Sequence, residues 1–138
     1  MSTAMAMSVS IIDDDPQVRD AVGNLVRSLG YMPVVFASAD DFLRSDKVWN
    51  SSCIITDLRM PGTSGGALQA RLIAEGNPTP VIVMTAFADD AVCARVLQAG
   101  AAGFLKKPFD DGVLAQCLAR AIAFGEAAAG GTPSGRQA

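Results

Sequence analysis

Five short apolar runs, each followed by a segment with helical spacing, constrain the fold of this chain more than any other feature of its sequence. Runs 7–12, 32–36, 53–56, 81–85 and 102–105 are rich in β-branched or other apolar residues and are bounded by Gly, Pro, Asp or Ser, so they read as strands. Between them, Val18, Ala21, Val22, Leu25, Val26 and Leu29 recur at helical spacing, as do Leu68 and Leu72, Val92 and Val96, and Val113, Leu114, Cys117, Leu118 and Ala121. A shorter helix is expected at 39–44. Strands that are apolar on both faces and alternate with helices require a parallel sheet covered by helices on each side, reached by right-handed crossovers. The expected fold is therefore a doubly wound α/β sandwich, (βα)5, with a five-stranded parallel sheet.

In such a fold ligands gather beyond the carboxyl ends of the strands. The residues there are Asp13, Asp14, Asp57, Thr85 and Lys107.

The length of 138 residues suits one domain, and 50% hydrophobic with 18% charged residues suits a chain that folds. The expected organisation is an N-terminal extension at 1–8, a folded domain at 9–126, and a flexible tail or linker at 127–138, where the composition turns to Ala, Gly, Ser, Thr and Pro. A net charge of −3 without a basic cluster argues against nucleic acid as a direct partner. With no histidine in the chain, imidazole bases and His-ligated metals are excluded, and any phosphohistidine must come from a partner. Cys53, Cys93 and Cys117, odd in number and far apart, form neither a disulfide framework nor a zinc motif and read as reduced thiols. Neither a secretion signal nor a membrane span is apparent, so a cytoplasmic location is expected.

Asp13-Asp14-Asp15-Pro16 follows a buried strand and opens a helix. Asp15 before Pro16 is explained as a helix N-cap. Asp13 and Asp14 are not, because adjacent carboxylates at a strand end repel each other unless a cation such as Mg2+ neutralises them. Asp57 ends the third run before a Pro-Gly turn; alone it is an ordinary turn aspartate, but the fold brings the ends of the first and third strands together. A divalent cation on Asp13, Asp14 and Asp57 would let a phosphoryl group approach Asp57 without meeting uncompensated anions. Thr85 and Lys107 lie on the same rim and supply a hydroxyl and an ammonium group for the other phosphoryl oxygens.

From about Val9 to Phe124 these residues resemble a response-regulator receiver domain of two-component signalling, on a flavodoxin-like fold. The resemblance implies that Asp57 is the phosphoacceptor, that Asp13 and Asp14 hold Mg2+, and that Arg59 offers its backbone carbonyl to the metal. It further implies that Thr85 is the switch hydroxyl, Lys107 the phosphate-contacting lysine, Lys107-Pro108 a cis peptide, and Phe104 the switch aromatic. Ala86 is small, as phosphoryl access requires, and the bulky Phe87 is positioned to shield the acyl phosphate from water. Thr56-Asp57-Leu58-Arg59-Met60-Pro61-Gly62 with Lys107-Pro108-Phe109 is similar to the FixJ-like subgroup, whose members usually carry a C-terminal helix-turn-helix. The implied partners are a sensor histidine kinase and, on phosphorylation, a second copy joined through the helix at 89–98, the strand at 102–105 and the helix from 110. The implied output is transcription through a DNA-binding domain not present in this chain.

The main alternative is a degenerate receiver acting as a phosphorylation-independent interaction module, although such modules usually lack one of the site residues. Turnover of an external substrate is not expected. A phosphohydrolase resembling the haloacid-dehalogenase group needs a second aspartate two residues after the nucleophile, where this chain has Arg59. A flavodoxin-like electron carrier is disfavoured because Asp13-Asp14-Asp15 would repel its phosphate.

Overall fold

The computed structural model describes residues 7–86 and 89–131. Five parallel strands alternate with five helices: β1 (Ser8–Ile12), α1 (Pro16–Ser28), β2 (Met32–Phe36), α2 (Ala39–Leu43), β3 (Cys53–Asp57), α3 (Gly65–Ala74), β4 (Val81–Thr85), α4 (Asp90–Gln98), β5 (Gly103–Lys106) and α5 (Asp111–Gly131). The sheet order is β2-β1-β3-β4-β5. This is the expected doubly wound, flavodoxin-like sandwich.

Alternation along the central strands divides the core in two. Ile11, Ile55, Ile82 and Met84 pack with Val22 and Val26 of α1 and Leu114 and Leu118 of α5. Their neighbours Ile12, Ile54 and Val83 pack with Phe42 of α2, Leu68 and Leu72 of α3 and Val96 of α4. Burial of both faces explains why β3 and β4 open as apolar runs, 53–55 and 81–84, while β1 carries Ser8 and Ser10 among its buried residues.

Boundaries differ in physically readable ways. β1 starts at Ser8, inside the expected extension, and residues 1–6 of that extension lie outside the described residues. β3 includes Asp57, β5 is shifted one residue onward, and a 3-10 turn at Asp46–Val48, capped by Ser45, was not expected. α5 continues through Gly131, past the break placed at 126, because alanine is the strongest helix former and fills 127–129. The rest of the tail, 132–138, lies outside the described residues.

Side-chain caps start the helices. Asp15 accepts the Gln17 N–H at 2.9 Å with Pro16 at the first helical position, while Ser64 caps α3 and Asp89 caps α4.

Candidate functional site

Strand pairing builds the site. β1 lies beside β3 with Ile12 opposite Thr56, so the residues that follow or end these strands, Asp13, Asp14 and Asp57, meet at one edge. Ligand oxygens from the three carboxylates lie within 4.8 Å of one another, with Asp13 and Asp57 buried and Asp14 exposed. Lys107, the first residue after β5, reaches across: its Nζ donates to Asp13 Oδ2 at 2.8 Å and stands 3.5 Å from Asp57 Oδ2.

Asp13 is held on all sides. Its N–H donates to the Phe36 carbonyl at 3.2 Å, its carbonyl accepts Arg19 Nη1 at 2.8 Å, and its Oδ1 accepts the Asp15 N–H at 2.9 Å. The first two bonds fix the backbone, and the carboxylate, with the Asp15 N–H on one oxygen and Lys107 Nζ on the other, is fixed in orientation before any ligand arrives.

Burial pushes the Asp57 carboxyl above the usual carboxylate range, and the Asp13 charge adds to the rise. The charge of Lys107 and the donated N–H of Arg59 oppose it without cancelling it. For Lys107, burial pulls the ammonium pKa down, but the hydrogen bond to Asp13 and the charges of Asp13 and Asp57 outweigh this and raise it above the ordinary lysine value. Converging hard carboxylate oxygens, one of them almost fully desolvated, match the donor set of a divalent cation such as Mg2+.

Of the remaining expected residues, Thr85, Arg59 and Ala86 fall on the same rim or just behind it. Thr85 is buried at the end of β4, and its carbonyl accepts the Lys107 N–H at 2.8 Å. Lys107-Pro108 is cis, as the resemblance implied. Arg59 contributes its N–H to the Asp57 carboxylate, and Ala86 is exposed beside a cleft between α1 and α5. Phe104 is set apart from the acid cluster, half-buried against the core that contains Val83 and Val96. Phe87 lies outside the described residues.

Two supporting residues escaped the sequence reading. Arg19 carried no signal beyond its place on a helix, whereas the Gly65-Gly66 pair did. A Cβ at Gly65 would overlap the carbonyl oxygen of Asp57, so a glycine is needed for α3 to start this close to the site.

Architecture and acid cluster together define a class of protein, the receiver modules of two-component signalling. Residues 9–119 match the response regulator receiver domain, and the chain belongs to that family. It is 35% identical over 121 residues to the transcriptional regulatory protein FixJ of Bradyrhizobium diazoefficiens, covering 88% of this chain and 59% of that protein. It is 40% identical over 109 residues to FixJ of Azorhizobium caulinodans, covering 79% of this chain and 52% of the relative. The chain therefore spans between half and three-fifths of the length of these relatives. The crystal structure of FixJ-N superposes with a TM-score of 0.77 at 32% identity, covering 86% of this chain and 95% of that one. Among the described residues no helix is long and apolar enough to cross a membrane.

Proposed function

We propose that this chain is a phosphorylation-activated switch that accepts a phosphoryl group on Asp57 from a sensor histidine kinase. The observation that carries the reading is the convergence of Asp13, Asp14 and Asp57 with Lys107 at 2.8 Å from one carboxylate and 3.5 Å from another.

An Asp57 carboxylate oxygen attacks phosphorus in line, forming an O–P bond as the P–N bond to the kinase imidazole breaks and its electron pair stays on that nitrogen. Asp13, Asp14 and Asp57, with the Arg59 carbonyl, would hold Mg2+, which when bound supplies neutralising charge for the phosphoryl oxygens. Lys107 and the Thr85 hydroxyl stabilise the product by moving toward those oxygens, and Lys107 then leaves Asp13. Phe104 rotates inward as the segment after Thr85 shifts, changing the surface of α4, β5 and α5. Ala86 leaves the approach to Asp57 open.

A cleft of about 470 Å3 opens beside Lys107, lined by Val18, Ala21 and Leu25 of α1 and by Pro108, Phe109 and Leu114. Its apolar floor next to the phosphoacceptor suits a helix of the kinase. The changed α4-β5-α5 surface pairs with a second copy, and the output is transcription through a DNA-binding domain outside this chain, as the names of the relatives suggest. No external substrate is turned over, and the location is cytoplasmic.

Intact-mass measurement after incubation with acetyl phosphate and Mg2+ tests the reading. One labile phosphoryl adduct is expected, absent with EDTA and absent in Asp57→Asn. Failure to form an adduct with either acetyl phosphate or a kinase donor would overturn it and favour an interaction module.

A further inference from the structure

The stretch from the end of β2 into α2, residues 36–40, is bonded both to Asp13 and to the loop that follows Asp57. At its start, the Phe36 carbonyl accepts the N–H of Asp13. Four residues on, Asp40 Oδ1 accepts the Thr63 hydroxyl at 2.7 Å. Thr63 belongs to the loop between β3 and α3, which follows Asp57 and carries Arg59. The N–H of Arg59 in turn donates to the Asp57 carboxylate.

The ends of that loop are fixed by backbone hydrogen bonds, Leu58 N–H to the Met84 carbonyl at 2.8 Å and Gly65 N–H to the Leu58 carbonyl at 2.9 Å. Its far side is turned back by Gly62 at φ 77°, a conformation that disfavours a side chain. Gly62 lies against Asp40 so closely that a Cβ there would stand 3.1 Å from Oδ2. Met60 packs from the same loop onto the core that contains Ala39 and Phe42. The loop is therefore held by the packing of Met60 on that core and tied to α2 by one hydrogen bond between half-buried partners. The bland account is that Asp40 only closes a turn. It does not explain why the acceptor comes from the segment that also holds Asp13.

We propose that Asp40 and Thr63 are positioning residues that lock the Arg59 loop to α2 and so preset the spacing of the acid cluster for its divalent cation. This rests on the cation role given to Asp13, Asp14 and Asp57 above. Groups that orient metal ligands through hydrogen bonds commonly change affinity by about 10–100-fold when removed. Asp40 acts at one remove, through the loop, and the loss of one such bond is expected to weaken Mg2+ about three- to tenfold.

The test is an Mg2+ titration of the full chain, followed by amide NMR shifts at Asp14 and Asp57, with hydrogen exchange at the Arg59 amide and thermal midpoints measured in parallel. Thr63→Val keeps the shape and removes the donor; it is expected to weaken Mg2+ three- to tenfold and to speed exchange at Arg59. Thr63→Ser restores the hydroxyl and is expected to bind within about twofold of the unsubstituted chain. Asp40→Ala is expected to match Thr63→Val, and the double variant to lose no more than either alone, since both remove the same bond. If Thr63→Val does not fold, the comparison of Asp40→Ala with Asp40→Asn, which keeps an acceptor, decides the matter. Unchanged affinity in Thr63→Val and Asp40→Ala, or equal loss in Thr63→Ser and Thr63→Val, overturns the inference. Absence of Mg2+-dependent shifts in the unsubstituted chain overturns the cation reading, and this inference with it.

Discussion

Gly65 lies beneath Asp57 at a separation that leaves no room for a methyl group: a Cβ there would overlap the Asp57 carbonyl oxygen and stand 3.0 Å from its carbonyl carbon. Backbone atoms of a central strand cannot swing aside as a side-chain tip can. Gly65→Ala is therefore expected to destabilise the fold by about 1–3 kcal/mol, as overpacking does. The urea midpoint should fall without change in slope. Gly66→Ala is the control, because its nearest atom is Leu58 Cδ1 at 3.7 Å, an ordinary contact. Equal stability of the two variants would contradict the close approach.

Burial raises the pKa of Asp57 most, and two charged neighbours act on it in opposite directions. Asp13 raises its pKa and Lys107 lowers it. In metal-free protein, Lys107→Met should move the titration midpoint of the Asp57 carboxyl carbon to higher pH, and Asp13→Asn should move it lower. Because folded Asp57 holds its proton more tightly than the unfolded chain does, its contribution to stability is full below the ordinary carboxylate range. It is lost as pH rises through the raised folded value. Carboxyl-carbon NMR across the acid range checks both shifts, and a downward move in Lys107→Met would refute the assignment of charges.

The fold was legible because burial on both sheet faces leaves a strong signal. Ile54 and Ile55 point to opposite cores, yet both must be apolar, so β3 announced itself as a central parallel strand. The acid cluster was legible for an electrostatic reason, since no local structure explains Asp13 beside Asp14. The supports were not. Arg19 reaches a backbone carbonyl, which any residue supplies, and Thr63 meets Asp40 across 23 positions, a pairing with no periodicity to betray it. The extent of α5 was missed because an alanine-rich stretch with glycines is both a good helix and a common linker composition.

Asp15 stands next to the acid pair but serves the helix. Its side chain accepts the Gln17 N–H, while its own N–H donates to Asp13 Oδ1. Asp15→Ala should cost about 1 kcal/mol of stability through loss of the cap, and Asp15→Ser should recover most of it. Mg2+ affinity should change less than twofold in Asp15→Ala, because the backbone donor to Asp13 remains. A tenfold loss in the Mg2+ titration would instead make Asp15 a ligand.

The face built by α4, β5 and α5 carries exposed Leu97 and Val113 flanking a groove that contains Phe104. Phosphoryl binding at Asp57 is expected to strengthen pairing through this face if Phe104, which lines the groove, turns inward as proposed. Sedimentation velocity over a range of concentrations, with and without beryllofluoride and Mg2+, should show a dimer constant tighter in the treated protein. Leu97→Asp should abolish the difference without affecting adduct formation. Equal constants in both states would remove dimerisation from the mechanism.

The three cysteines should react in an order set by burial. Cys53 is fully buried on β3, and burial with the nearby Cys117 pushes its thiol up to about 12, so at pH 8 only about one molecule in 10⁴ carries a thiolate there. Burial also raises Cys117, although Arg120 opposes it, and its Sγ packs where a Cβ on Gly103 would collide. Cys117 remains half-buried, so its slower reaction rests on that contact and on the raised thiol. Cys93 is half-buried on α4. An aromatic disulfide reagent at pH 8 should therefore modify Cys93 first, Cys117 more slowly, and Cys53 only as fast as the whole domain opens. In Cys93→Ser the fast phase should vanish, while added urea should accelerate Cys53 in proportion to the unfolded fraction. Rapid labelling of Cys53 in folded protein would mean that the core between β3 and α5 is open.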